Sequence, residues 1–140
     1  MRNASRLLIL MLFIGSLVLG SQGVFAADKQ LLAKIIPFAV TPGESIVGIE
    51  YTVTNGKITH ATRPRGWSCR ATGNARDKQV YFDCSSSHRT YGLTNTAKLP
   101  ILSIEDTSGS CRIEALVKFE NGSGQRDSKK LTDSELSITR

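Results

Sequence analysis

The chain has 140 residues, with 18 Lys and Arg against 12 Asp and Glu and a net charge of +6. At 40 % hydrophobic and 21 % charged residues it is too apolar for a disordered tail, and its length suits one domain. Three cysteines and twelve glycines exclude a disulfide-dense miniprotein and a collagen-like repeat.

The chain opens MRNASRLLILMLFIGSLVLGSQGVFA, in which Arg2 and Arg6 precede an apolar run from Leu7 to Gly20 and small residues lead to Ala26. That order predicts a secretory signal peptide over residues 1–26, cleaved after Ala26. The run is too short to span a bilayer permanently, and no cysteine follows it closely enough for a lipid anchor. The predicted product, residues 27–140, is one domain without an integral membrane segment, secreted to an extracellular or periplasmic space. Disulfides form in such compartments.

Strand signals then recur in chain order. Leu31–Val40 is the first. In Ser45–Thr54 the residues Val47, Ile49, Tyr51 and Val53 fall on one face and Gly48, Glu50, Thr52 and Thr54 on the other, the period of a half-buried strand. Pro42-Gly43 punctuates its start. Asn55-Gly56 follows it, the pair best suited to a tight hairpin, which would set His60 opposite Tyr51. Gln79–Cys84, Leu99–Glu105 and Cys111–Phe119 read as further strands, the last with Cys111, Ile113, Ala115, Val117 and Phe119 on one side. The polar end after Gly122 contributes a final edge strand at most. About seven short strands separated by Gly, Pro, Ser and Asn clusters predict an all-β, immunoglobulin-like, two-sheet antiparallel sandwich.

The segment VTPGESIVGIEYTVTNGKITHATRPRGWSC, residues 40–69, and LPILSIEDTSG, residues 99–109, resemble the first half and a later part of cohesin-type secreted modules. A Pro-Gly turn, a long strand, Asn-Gly-Lys-Ile and Pro-x-Gly-Trp occur in the same order. The resemblance implies a sandwich fold and a non-catalytic, protein-binding role. It transfers no contact surface and no functional residue, because the matching positions are those that turns and cores need.

The stretch GWSCRATGNARDKQVYFDC places Cys69 and Cys84 on either side of a turn at Ala75–Lys78. If the ribbon folds there, the two cysteines face each other within disulfide reach. Three cysteines leave one unpaired; Cys84 with Cys111 and Cys69 with Cys111 are the rival bonds, and an intermolecular bond through Cys111 is a further alternative. Cys111 heads an apolar face, which favours a buried thiol. No paired Cys-x-x-Cys spacing is present and His60 and His88 stand far apart in sequence, so neither a metal site nor any other cofactor is expected.

Catalytic signals are equally sparse. Ser85, Ser86 and Ser87 with His60 or His88 and Asp83 or Asp106 supply the residue types of a hydrolase triad, but no Gly-x-Ser-x-Gly elbow or glycine-rich phosphate loop occurs. The chain is therefore expected not to be an enzyme, with a small hydrolase using His60 or His88 as one alternative and an assembly subunit of an extracellular or envelope complex as another.

Charge is the strongest functional signal. Residues 57–89 carry Lys57, Arg63, Arg65, Arg70, Arg76, Lys78 and Arg89 against Asp77 and Asp83, a sum of +5 from seven cations and two anions. Trp67, Tyr81 and Tyr91 lie in or beside this stretch. Arginines next to aromatics suit an acidic protein, an anionic polysaccharide or a phospholipid headgroup layer; secretion argues against nucleic acid. The bland reading is a solvated edge with Trp67 plugged into the core. Lys57, Arg63, Arg65, Trp67, Arg70, Arg76, Lys78 and Arg89 are the candidate partner-binding residues. Asn121-Gly122-Ser123 is a formal glycosylation acceptor in a turn.

Overall fold

The computed structural model describes residues 29–140; the leader expected over residues 1–26 lies outside them. Nine strands occur: β1 (Lys29–Ile35), β2 (Glu44–Thr54), β3 (Gly56–Ala61), β4 (Trp67–Asn74), β5 (Gln79–Ser86), β6 (Leu102–Asp106), β7 (Arg112–Asn121), β8 (Arg126–Lys130) and β9 (Leu136–Thr139). One sheet has the order β3-β6-β1-β9 and the other β4-β5-β2-β7-β8, every pairing antiparallel. The apolar sides of the two sheets face each other as in a β-sandwich. A single 3-10 turn at Arg89–Tyr91 is the only helical element among the described residues.

β2 is the spine of the larger sheet because its alternation is the longest. Ile49, Tyr51 and Val53 are fully buried and pair with the inward-facing Val117, Ala115 and Ile113 of β7. Across the sandwich they meet Leu31, Ala33 and Ile35 of β1 and Leu102 and Ile104 of β6 in one core. The Tyr51 hydroxyl donates to the Pro100 carbonyl at 2.7 Å, so the one polar atom of that buried ring has a partner. Burial pushes the Tyr51 hydroxyl pKa well above the ordinary phenol value, and the group stays a neutral donor.

Four expectations need correction. Strict alternation set Val47 inward, but a bulge between Ile46 and Gly48 shifts the register and turns Ile46 inward instead, where it is fully buried. Asn55-Gly56 does not close a hairpin: β3 leaves β2 and pairs with β6 in the other sheet. Asn55 takes a left-handed backbone at φ 58°, which redirects the chain from one layer to the other. Glycine is required next to it, since a Cβ at Gly56 would sit 2.7 Å from Cys111 Sγ and 3.0 Å from Ile104 Cγ2. His60 consequently lies opposite Ser103, exposed, and does not face Tyr51.

The third correction concerns strand ends at prolines. β1 stops at Ile35, two residues before Pro37, and β6 begins at Leu102, two after Pro100; proline has no N–H to give a ladder. The fourth is the count. The polar end holds two strands, β8 and β9, joined through a turn in which Glu135 accepts from the Thr132 N–H and hydroxyl and from Lys129. Those bonds, the Lys129 ammonium first, hold the Glu135 carboxyl below the usual carboxylate range.

Candidate binding surface

The β4–β5 hairpin forms as the spacing predicts. Asn74 caps its turn, its Oδ1 accepting the N–H groups of Arg76 and Asp77 at 3.2 and 3.4 Å while its Nδ2 donates to Asp77 at 2.7 Å. This register puts Cys69 opposite Cys84, and the two are joined in a disulfide with Cα atoms 4.1 Å apart. Cys111 is the free thiol. It is half-buried rather than fully enclosed, and desolvation, with the Asp106 carboxylate second, raises its pKa, which keeps it protonated and unreactive.

The eight candidate contact residues divide. Trp67 does not belong to a surface: it is 3 % exposed, part of the core, and its Nε1 donates to the Tyr91 carbonyl at 2.7 Å. A hydrophobic ring beginning an inward-facing strand position is worth more buried than displayed. Arg89 stands in the 3-10 turn. The other six are exposed, but not on one flat ribbon, because β3 and β4 belong to different sheets. Lys57 sits on the outer side of β3, Arg63 and Arg65 in the link to β4, Arg70 on the outer side of β4, and Arg76 and Lys78 in the hairpin turn. Since β3 and β4 each end a sheet and β3 lies against β5, these cations wrap one narrow side of the sandwich and its two ends.

Their electrostatic state differs from that of the opposite side. On β7 and β8 and the turn beyond, Arg112 lies 3.9 Å from Glu114, Lys118 3.7 Å from Glu50, Arg126 3.7 Å from Glu120 and Lys130 3.7 Å from Glu114, and Lys129 is bonded to Glu135. Among the described residues, none of Lys57, Arg63, Arg65, Arg70, Arg76 and Lys78 has a carboxylate within 4 Å. Exposed pairs add little stability, but they do neutralise. Among the described residues Lys29, Lys34, Lys98 and Arg140 also lack an ion pair, and the β3–β4 side, which holds six of the unpaired cations, carries Glu105 opposite Lys57 and Asp83 opposite Arg70 in register.

The residue types of a hydrolase do not assemble into a triad. Ser87 donates to the Gly66 carbonyl at 2.6 Å, His88 Nδ1 lies 3.3 Å from the Thr90 hydroxyl, and Asp106 accepts the N–H groups of Ser108 and Gly109. His60 is on the other sheet. A cleft of about 540 Å³ on the outer face of the larger sheet brings Asp83, Ser85, Ser86, His88 and Lys118 to one rim. It lies beside the register shift between Ile46 and Gly48, a feature that strict alternation does not reveal. Among the described residues no cluster of three or more His, Cys, Asp or Glu could hold a metal ion, and no helix is long and apolar enough to cross a membrane.

Fold and surface together define a disulfide-linked, all-β, two-sheet sandwich with, among the described residues, six cations outside any ion pair on its β3–β4 side. No family model, no curated protein and no solved structure matches the chain. These comparisons give no support to the expected resemblance to cohesin-type modules.

Proposed function

We propose that this protein is a secreted, non-enzymatic binding module whose β3–β4 side engages an acidic macromolecule. The observation that carries this reading is the segregation of charge: the cations of β7, β8 and the following turn have carboxylate partners, whereas the six of the β3–β4 side have none among the described residues. Leaving six like charges along one side destabilises the compact state slightly through mutual repulsion. A ligand that supplies the missing anions removes that repulsion and gains long-range steering. The disulfide supports an oxidising compartment, and the leader predicts one.

The test is charge reversal on each side. A variant carrying Arg63→Glu, Arg65→Glu and Arg70→Glu should lose salt-sensitive retention on a polyanion matrix and on partners captured from the native secretome. A control with Arg126→Glu and Lys130→Glu should keep both, since those cations are already neutralised. Equal retention by the two variants would remove the surface from the proposal.

A second reading, an assembly subunit, is favoured by the four strands β3, β9, β4 and β8 that end the sheets, because unpaired edges are templates for another chain. A monomer in sedimentation at high concentration counts against it.

A further inference from the structure

The two layers are unequal, and the inequality has a location. The smaller sheet has four strands and the larger five. β3, the last strand of the smaller sheet, lies against β5 and β2, so the place opposite β4 has no strand of its own. Burial records the gap. The inward positions of β2 and β7 are buried throughout, and those of β5 are buried at Phe82 and Cys84, yet on β4 only Trp67 is. Cys69 is half-exposed, and Ala71 and Gly73, which also point inward by register, are exposed. A Cβ added at Gly73 would meet nothing within 4 Å.

The opposite side of the larger sheet is finished differently. There the segment after β1 folds over β8: Phe38 packs edge-on against Phe119 with ring centroids 6.3 Å apart, and Lys129 stands 5.0 Å over the Phe38 ring. The turn at Tyr91 lies against the Trp67 end of β4, but among the described residues no ring contact is made over Ala71 or Gly73. The result is a step, with the Cys69–Cys84 bond, Ala71 and Gly73 as its floor and the open edge of β3 as its wall. Lys57 and His60 look outward from that wall, Arg63 and Arg65 stand at one end, and Arg76 and Lys78 at the other.

We infer that this step is the seat of an extended acidic peptide segment of a partner protein, which pairs with the open edge of β3 as a fifth strand of the smaller sheet. The inference deepens the proposed function and rests on its reading of the basic side. Main-chain pairing supplies affinity, and alternation supplies selectivity. One set of side chains must be small or β-branched to lie on a floor made of alanine, glycine and a disulfide. The other set must be acidic to face Lys57 and the cations at the two ends. The extra residue at Thr59, where β3 shifts register against β6, raises the local twist of this edge. A polysaccharide would meet the same cations but has no use for the floor or the strand edge.

The probe is an acetylated octapeptide of alternating Thr and Glu, with two isomers N-methylated at every Thr or at every Glu. Only one of those two sets of N–H groups can point at β3. The oxidised protein should bind the parent peptide, and one isomer should bind about tenfold or more weakly while the other binds like the parent. Filling the floor with Ala71→Phe and Gly73→Phe should abolish peptide binding with the melting temperature retained, whereas Thr72→Phe, on the outer side of β4, should not.

A uronic oligosaccharide of equal charge separates the two failures. Should it bind in a salt-sensitive way while the peptide does not bind, or binds regardless of N-methylation, the strand inference falls and the basic-side reading stands. Should neither probe bind, both fall. Binding that depends on N-methylation but survives the filled floor would assign the strand to the β4 edge and overturn the seat named above.

Discussion

Tyr51 illustrates how a single residue carries both packing and polarity. Its ring is fully buried and its hydroxyl holds the Pro100 carbonyl just before β6 begins, so it sets where that strand enters the smaller sheet. Tyr51→Phe keeps the ring and strands a buried acceptor; a loss of about 1 to 3 kcal/mol in urea unfolding is expected. A smaller change would mean that water reaches the carbonyl. Glu135 is the other residue with a measurable signature. Its carboxyl pKa is lowered by Lys129 and the Thr132 amide, so its contribution is complete above the unfolded-state value and fades as pH falls through the folded one. Glu135→Gln should therefore lower stability by a constant amount at neutral and alkaline pH and flatten the acid limb below about pH 4.3, so that variant and parent converge as pH falls, read by thermal melts at stepped pH.

Among the elements, the β4–β5 hairpin depends most on a covalent link. β4 has little buried surface beyond Trp67, and half of a two-stranded ribbon without a covering layer is marginal in water. The Cys69–Cys84 bond, 15 residues apart in sequence, compensates: replacing both cysteines by alanine should cost about 3 kcal/mol in the chain-entropy description. Denaturant unfolding of the oxidised and alanine forms measures it. Amide exchange should rise first in Arg70–Asn74, the part of β4 with nothing above it. Uniform exchange across all nine strands would show that the hairpin is as firmly held as the centre.

For the whole molecule, much was legible where physics is local. Period-two alternation located Ile49–Val53 and Ile113–Phe119, and the turn at Ala75–Lys78 set the cysteine register. What stayed hidden were decisions made between layers. Asn55-Gly56 carries the same local turn preference whether the chain doubles back or crosses over, and only the fit of Gly56 against Cys111 and Ile104 distinguishes the two outcomes. The bulge at Val47 depends on Phe119 and Lys118, over seventy positions away. The basic side was visible as composition, but its division between two sheets was not, and Trp67 read equally well as ligand contact or core until its surroundings were known.

The position of β1 has a consequence for how the chain comes to be. Its two neighbours are β6 and β9, both from the last third of the polypeptide, whereas β2 meets β5 on one side and waits for β7 only on the other. During synthesis or export, which proceed from the amino end, β1 has no companion until β6 has emerged. The β4-β5-β2 unit can close early, and the thiols of Cys69 and Cys84 can be oxidised while the remainder is still being delivered. A chaperone acting on this protein would have to shield Leu31, Ala33 and Ile35 for the longest interval, because those side chains are first out and last covered.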